Sequence, residues 1–200
     1  MADEGSAPSG EPWEIRIYWP GACAPFRRQT DPLAALSNMA EGMPLVVSGI
    51  AVGSSEALYQ CMRFPHLPEV QRSILAAPTP ATAKEACALW RARSRTDWDA
   101  VRVDVMRWCL SVKLERHAAR LGPLLQSTGE LPIVEVSARD DFWGAKPRGD
   151  GAYVGRNVLG RLLTELRSPA ASLPTTGSHW RETSLLLGRP VAVDGHIVGC

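Results

Sequence analysis

Apolar residues recur at helical spacing over much of the chain. The pattern is clearest in the longest such segment, whose inward row consists of Val101, Val105, Cys109 and Val112. A row of this kind lies on one side of a helix, and that side packs against a core. Helices are predicted at residues 54–64, 68–77, 80–90 and 96–117 and after residue 157.

Shorter stretches have the pattern of β-strands. Residues 14–19 alternate polar and apolar side chains, which is typical of a half-buried strand. Residues 45–52 form a continuous, β-branched apolar run with Gly49 and Gly53 at its ends, which predicts one buried strand. A third strand is predicted at residues 131–136. These segments predict an α+β fold, a compact and mostly helical domain with a short sheet.

The length of 200 residues suits one domain with extensions. Residues 1–12 are rich in Gly, Ser, Pro and acid, which predicts a disordered leader. The domain is predicted at residues 13–167. Residues 168–200 are predicted to be a linker followed by a C-terminal hairpin around an Asp194-Gly195 turn.

The overall charge limits the possible partners. A formal net charge of +1 at pH 7 gives no electrostatic footprint for duplex nucleic acid or an acidic membrane. No apolar run approaches the length of a membrane span. The five cysteines are scattered without a C-x-x-C pair. This pattern indicates a reducing, cytoplasmic setting and predicts no metal site.

The first helix of the central region begins with a candidate catalytic acid. Ser54 or Ser55 can cap this helix, so Glu56 falls in its first turn, where the helix dipole favours negative charge. Tyr59, Gln60 and Arg63 bring polar groups to one face of the same helix. The carboxylate either contributes to a site with these groups or complements the dipole at the surface.

Lys113 continues an apolar row after Met106 and Leu110 on the longest predicted helix. Burial would lower the pKa of its amine, which could then attack a ring-opened sugar and form a Schiff base. In the alternative, the side chain extends past the helix end into solvent.

Two later segments carry candidate chemistry. Asp140 lies in a loop after the predicted strand, close to Phe142 and Trp143. Together with Glu56 it provides the pair of carboxyl groups that glycosidic cleavage uses. The glycine-rich residues 149–155 lead to Asn157, the predicted N-cap of a helix, and such a turn can bind phosphate through backbone N–H groups.

Several short motifs follow one another along residues 19–167. They include Leu36-Ser37-Asn38, Ser55-Glu56-x-x-Tyr59-Gln60, Thr79-Pro80, Asp97-Trp98, Lys113, Val134-Glu135, Asp140-x-Phe142-Trp143-Gly144 and Gly155-x-Asn157. Each motif is weak alone, but the series resembles the NADAR (YbiA-like) family in order and spacing. The resemblance implies a compact α+β domain that hydrolyses N-glycosidic bonds. Members act on ribosylamino intermediates of riboflavin synthesis or remove ADP-ribose from guanine bases.

The resemblance also implies roles for individual residues. Glu56, Trp98 and Asp140 fall at positions that the family uses for catalysis, and Lys113 falls on a recurrent lysine. We expect Glu56 to act as acid and base and Asp140 to support the cationic sugar. The residues expected to bind substrate are Ser37, Asn38, Tyr59, Gln60, Arg63, Trp143, Gly144, Gly155 and Asn157. The expected substrate is a small nucleotide or ribosylamine, or an ADP-ribosylated base in nucleic acid, with no cofactor and no membrane partner.

Two positions depart from the family pattern. Arg63-Phe64 stands where the family usually has Lys-Phe, and Ala145-Lys146 stands where it usually has an acid and a glycine. Arg63 keeps a positive charge for phosphate but cannot serve as an amine nucleophile. A second interpretation therefore stays open, that of a non-catalytic module that binds ADP-ribose.

Overall fold

The computed structural model describes residues 13–27, 31–168 and 179–191. Its α-helices are α1 (Ser55–Met62), α2 (Pro68–Leu75), α3 (Pro80–Ala86), α4 (Trp98–Arg116), α5 (Ala118–Ser127), α6 (Val158–Leu166) and α7 (His179–Glu182). Short 3₁₀ helices cover Pro32–Leu36 and Ala88–Arg93. The strands are β1 (Arg16–Tyr18), β2 (Ala24–Phe26), β3 (Leu45–Val47), β4 (Ile50–Val52), β5 (Ile133–Glu135), β6 (Lys146–Pro147), β7 (Tyr153–Gly155), β8 (Leu185–Leu186) and β9 (Arg189–Pro190). The predicted α+β class is confirmed.

Helix α1 is the centre of the helical part and packs against α2, α3 and α4. All eight of its residues are buried. The helix begins where the sequence predicts, because the Ser54 hydroxyl accepts the backbone N–H of Ala57 at 3.1 Å. A cap of this kind stabilises a helix by about 1 kcal/mol. The buried start of α1 is thereby fixed in position.

Residues 45–52 are not the single strand that their apolar run predicts. They form a hairpin of β3 and β4, in which Leu45 pairs with Val52. The turn consists of Ser48 and Gly49, which have positive φ angles of 50° and 74°. Two consecutive positive φ angles are the requirement of a two-residue type I′ turn. The chain therefore reverses inside the run, where glycine makes the turn possible.

The main sheet has the strand order β1-β7-β6 and is antiparallel, whereas β2 and β5 pair separately in parallel. Strand β1 forms, but the predicted half-buried arrangement is wrong, because the apolar residues of its alternation do not face the core. Tyr18 points inward and is 7% exposed, while Ile15, Ile17 and Trp19 are 59%, 50% and 51% exposed.

Asn157 occupies the N-cap position of α6, but its side chain does not cap the helix. Its amide bonds to strand β5 instead, accepting the N–H of Glu135 at 3.0 Å and donating to the carbonyl of Ile133 at 2.8 Å. Gly160 allows this close contact, because a Cβ there would lie 2.2 Å from the Ile133 oxygen. The predicted capping role is wrong, and Asn157 joins α6 to β5.

The predicted glycine-rich loop at residues 149–155 is largely the hairpin between β6 and β7. Gly151 turns the chain with φ +87°, and Tyr153–Gly155 is strand β7. A Cβ on Gly155 would lie 2.5 Å from the Gly144 carbonyl oxygen. Gly155 is therefore needed where the backbones of β7 and the segment around Gly144 approach closely.

Residues 179–191 pack on the domain. Trp180, Leu186 and Val191 join its hydrophobic core. The Arg95 guanidinium donates to the carbonyl of Trp180 and to the hydroxyls of Thr183 and Ser184. The predicted leader at residues 1–12 and the hairpin around Asp194-Gly195 lie outside the described residues. In the described part of the chain, no helix is long and apolar enough to cross a membrane.

Candidate active site

Helices α1 and α4 and the loop after β5 enclose a cavity of about 260 Å³, here called the pocket. Acidic, basic and aromatic side chains meet on its walls. The lining comprises Asn38, Met39, Glu56, Tyr59, Gln60, Arg63, Lys84, Arg91, Trp98, Arg102, Met106, Glu135, Ser137, Asp140, Trp143 and Leu159. Many of the residues that the sequence predicts for the site therefore meet in one place.

Glu56 is held by hydrogen bonds to both oxygens of its carboxylate. Asn38 donates through Nδ2 to Oε2 at 2.6 Å, and Gln60 donates through Nε2 to Oε1 at 2.7 Å. The residue is only 4% exposed, so the alternative of a surface acid is wrong. A carboxylate between two amide donors has a fixed orientation.

A network of hydrogen bonds also fixes Asn38. Its carbonyl accepts the Ser55 hydroxyl at 3.1 Å, so the first turn of α1 holds both Asn38 and Glu56. The side-chain oxygen Oδ1 of Asn38 is buried and has no partner among the described residues. The same is true of Arg63 Nε and Trp98 Nε1. Unsatisfied buried polar atoms cost about 1–3 kcal/mol each, so their grouping in residues that line one pocket indicates a binding site.

Asp140 positions the loop after β5, which forms another wall of the pocket. Its Oδ1 accepts the backbone N–H groups of Phe142 at 3.0 Å and Trp143 at 2.9 Å. The Ser137 hydroxyl accepts the N–H of Asp140 at 3.1 Å. The carboxylate is thus locked in place while its residue lines the pocket.

Glu135 is a third acid in the pocket and belongs to the Val134-Glu135 motif, but it is not among the residues that the sequence predicts for the site. It is 6% exposed and ends strand β5. The Ser37 hydroxyl donates to its Oε1 at 3.2 Å. A glutamate in an otherwise apolar strand was the signal in the sequence, because buried acids are rare without a specific role.

Three aromatic rings form one wall of the pocket. The ring of Tyr59 lies 5.0 Å from that of Trp98 and 5.7 Å from that of Trp143, between centroids. The Arg63 guanidinium stacks over Trp98 at 4.7 Å. Burial, and next the nearby Glu56 carboxylate, hold the pKa of Tyr59 well above its ordinary value. Its phenol therefore stays protonated and can donate a hydrogen bond.

Four cationic side chains complete the lining of the pocket: Arg63, Lys84, Arg91 and Arg102. Arginine and lysine are the side chains that bind phosphate groups in proteins. No group of three or more His, Cys, Asp or Glu side chains suited to a metal ion occurs within residues 13–27, 31–168 and 179–191.

Lys113 is buried but does not line the pocket. It is 1% exposed, so the alternative of a solvent-reaching side chain is wrong. Its Nζ donates to the carbonyls of Ala35 and Ser37, each at 2.6 Å. Burial above all, with a contribution from Arg120, lowers the pKa of its amine to about 7. In this arrangement the amine holds the segment that carries Asn38.

Four residues predicted to bind substrate also lie outside the lining of the pocket: Ser37, Gly144, Gly155 and Asn157. Their contacts are structural. Ser37 bonds to Glu135, and Asn157 bonds to β5. A Cβ on Gly144 would lie 2.5 Å from the carbonyl oxygen of Glu135 and 3.3 Å from that of Asp140. Gly144 thus lets two acid-bearing segments approach each other.

Comparison with known proteins identifies the family. Residues 25–169 match the NADAR domain. The chain belongs to the NADAR family. It is 35% identical over 151 residues to N-glycosidase YbiA of Escherichia coli, covering 73% of this chain and 87% of YbiA.

Two further comparisons agree with this assignment. The chain is 36% identical over 123 residues to a riboflavin biosynthesis protein of Vibrio vulnificus, covering 62% of this chain but only 32% of that protein. The NMR structure of Escherichia coli YbiA superposes with a TM-score of 0.57 at 31% identity, covering 72% of this chain and 83% of YbiA. The relatives confirm the predicted class of enzyme, a hydrolase acting on N-glycosyl bonds.

Proposed function

We propose that this protein hydrolyses the N-glycosidic bond between a phosphorylated ribosyl group and a nitrogen of a base. The observation that supports this most is the meeting of Glu56 and Asp140 in one pocket, between an aromatic wall and a set of cations. Paired carboxyl groups serve cleavage through a cationic sugar. Aromatic faces favour that cation, and arginine and lysine bind the phosphate.

In the proposed reaction, Glu56 activates the water that attacks C1′ of the sugar. The bond between C1′ and the base nitrogen breaks, and its electron pair stays on the nitrogen. Water forms the new C1′–O bond and gives one proton to Glu56, which passes it to the departing nitrogen. The amides of Asn38 and Gln60 keep the carboxylate oriented for both transfers.

Asp140 stabilises the positive charge that develops on the sugar ring. Because backbone N–H groups hold its Oδ1, the carboxylate does not need to reorganise during the reaction. A fixed charge of this kind is the main source of transition-state stabilisation in many enzymes. The aromatic rings of Trp98 and Trp143 line the same pocket. In the proposed reaction they limit the access of water other than the attacking molecule.

The proposal is tested by incubating the protein with a ribosylaminopyrimidine phosphate, ADP-ribosyl-guanosine and ADP-ribosylated DNA. Mass spectrometry should detect the free base and the hydroxyl sugar from at least one of them. Cleavage in ¹⁸O-labelled water should place the label on the sugar. Binding of these compounds without any product would instead support the non-catalytic module that binds ADP-ribose.

An Asp140→Asn variant should lose about 10²- to 10³-fold in turnover with little change in melting temperature. The asparagine oxygen can still accept the N–H groups of Phe142 and Trp143, so the loop is retained while the charge is lost. Asp141→Asn is the matched control. Asp141 is paired with Lys146 and does not line the pocket, so turnover should stay close to wild type. A large fall in melting temperature for Asp140→Asn would mean that Asp140 is structural.

A further inference from the structure

Residues 179–191, here called the C-terminal segment, bond to Arg95, which lies three residues before Trp98 of the pocket. The Arg95 guanidinium donates through Nη1 to the Ser184 hydroxyl at 2.9 Å and through Nη2 to the Thr183 hydroxyl at 2.8 Å. Nη1 also donates to the carbonyl of Trp180 at 3.4 Å. The C-terminal segment therefore contacts the turn that leads into one wall of the pocket.

Residues 95–98 form a turn whose shape is fixed by local bonds. The carbonyl of Arg95 accepts the N–H of Trp98 at 3.1 Å. The Arg95 guanidinium also pairs with both carboxylate oxygens of Asp97, through Nε at 2.5 Å and Nη2 at 2.9 Å. Because these partners are neighbours in the sequence, the bonds set the shape of the turn but not its place in the fold. That place depends on contacts with other elements.

Two contacts of Arg95 with other elements place this turn. On the side of the pocket, the N–H of Arg95 donates to the carbonyl of Arg63 at 2.9 Å, at the C-terminal end of α1. On the other side, the C-terminal segment holds the guanidinium. Arg63 and Trp98 are the two pocket residues whose side chains stack, at 4.7 Å. A displacement of the turn would therefore move the backbone supports of both members of this stack.

The C-terminal segment is itself attached to the domain by contacts that do not involve Arg95. Gln71 of α2 is buried, donates through Nε2 to the carbonyl of Leu185 at 2.7 Å and accepts the N–H of Leu187 at 2.7 Å. The ring of Trp180 packs edge-on against that of Trp108, with centroids 5.6 Å apart. The segment is thus a fixed support for Arg95, and it keeps its place when the bonds to Arg95 are removed.

We propose that the C-terminal segment positions Arg63 and Trp98 for phosphate binding, acting through Arg95. Thr183 and Ser184 are then positioning residues that do not touch the substrate. A guanidinium that is fixed before binding loses less conformational freedom when it binds phosphate, so the phosphate binds more tightly. The inference takes from the proposed function that phosphate binds beside Arg63, and it does not require that the glycosidic bond is cleaved.

The double variant Thr183→Val/Ser184→Ala removes both hydroxyl acceptors of Arg95 and changes the side-chain volumes little. In NMR titrations of the full chain, its Kd for ribose 5-phosphate should rise by about 5- to 30-fold, close to the loss of one hydrogen bond to a charged group. The kcat for a cleaved substrate should change by less than about 3-fold, because Glu56 is held by Asn38 and Gln60 instead. The loss should therefore appear in KM.

The indole N–H resonance of Trp98 reports the position of the turn directly. It is assigned by its disappearance in Trp98→Phe, and it should shift in the free double variant. Arg189→Met is the matched control, since Arg189 is exposed and bonds the same segment to the carbonyl of Ser48, away from the pocket. It should change neither the Kd nor the resonance. Thr183→Val alone, at an exposed position, should raise the Kd by about 2- to 5-fold and serves if the double variant does not fold.

A double-mutant cycle with Arg63→Met separates positioning from a general disturbance of the fold. Once the Arg63 side chain is removed, the changes at Thr183 and Ser184 should weaken ribose 5-phosphate binding by less than about 2-fold further. Additive losses, or an unchanged Kd in the double variant, would overturn the inference and leave the proposed function standing. If the predicted affinities were found but no substrate were cleaved, the proposed hydrolysis would be refuted and the positioning role would remain.

Discussion

A Glu56→Gln variant is expected to lose turnover by about 10²- to 10⁴-fold while it still binds substrate. Glutamine has almost the shape of glutamate but cannot take up or release the proton. The donors Asn38 and Gln60 can adapt, because one of their amides can rotate and present its oxygen to the new NH₂ group. Single-turnover rates measured beside a calorimetric Kd separate the chemical step from binding.

Glu69→Gln provides the control for this variant. Glu69 also lies in the first turn of a helix, α2, but it is exposed and outside the pocket. The same change there should leave turnover unchanged. If Glu56→Gln cleaved substrate at close to the wild-type rate, the proposed proton transfer would have to be assigned to another group, with Glu135 the first candidate.

A Lys113→Met variant is expected to lose stability, and by more at pH 9 than at pH 6. The unfolded chain has a lysine pKa near 10.5 and the folded protein one of about 7. Between these values only the unfolded chain binds the proton, so the stability of the wild type rises with pH relative to the variant. The difference should grow by on the order of 1 kcal/mol for each pH unit above 7.

At pH 9 the cost of this variant should be roughly 2–6 kcal/mol, because the carbonyls of Ala35 and Ser37 lose their donor. Urea unfolding at the two pH values measures it. Lys146→Met is the control, since Lys146 forms a surface pair with Asp141 and should contribute less than about 1 kcal/mol at both. An equal cost of Lys113→Met at pH 6 and pH 9 would show that the buried amine does not titrate in this range.

The contacts of Lys113 also bear on the choice between two chemical routes, a Schiff base on its amine and direct attack of water on the sugar. Because its amine is held by two carbonyls outside the pocket, we propose that Lys113 positions Asn38, and through it Glu56. Borohydride added during turnover should therefore trap no covalent adduct on Lys113. An adduct would revive the Schiff-base route and require the segment around Ser37 to move.

The sequence predicts the helices of this protein better than its strands. The cap at Ser54 is a local signal and forms the predicted hydrogen bond, and Thr79 caps α3 in the same way. The sequence does not predict the hairpin at residues 45–52, because an apolar run has the same pattern whether or not it turns at Ser48-Gly49. Turn formation there depends on two positive φ angles, which the hydrophobic pattern does not encode.

The candidate active site likewise contains some residues that the sequence predicts and others that it does not. Glu56, Trp98 and Asp140 line the pocket together, and their motifs follow the chain in a recognisable order. Glu135, Lys113 and Asn157 are polar residues in apolar surroundings, and only the fold shows what they contact. Lys113 reaches the backbone of residues 35 and 37, and Asn157 reaches β5. Such partners are distant in the sequence, so periodicity alone cannot find them.

The contact between Arg95 and residues 180–184 has a consequence for the evolution of this protein. Arg95 lies within the NADAR match at residues 25–169, but three of its hydrogen-bond partners lie after it. Asp97 pairs with the same guanidinium from within the match, so the later segment satisfies the N–H groups that Asp97 does not. We therefore expect Arg95 and residues 180–184 to vary together among relatives, because each satisfies polar groups of the other.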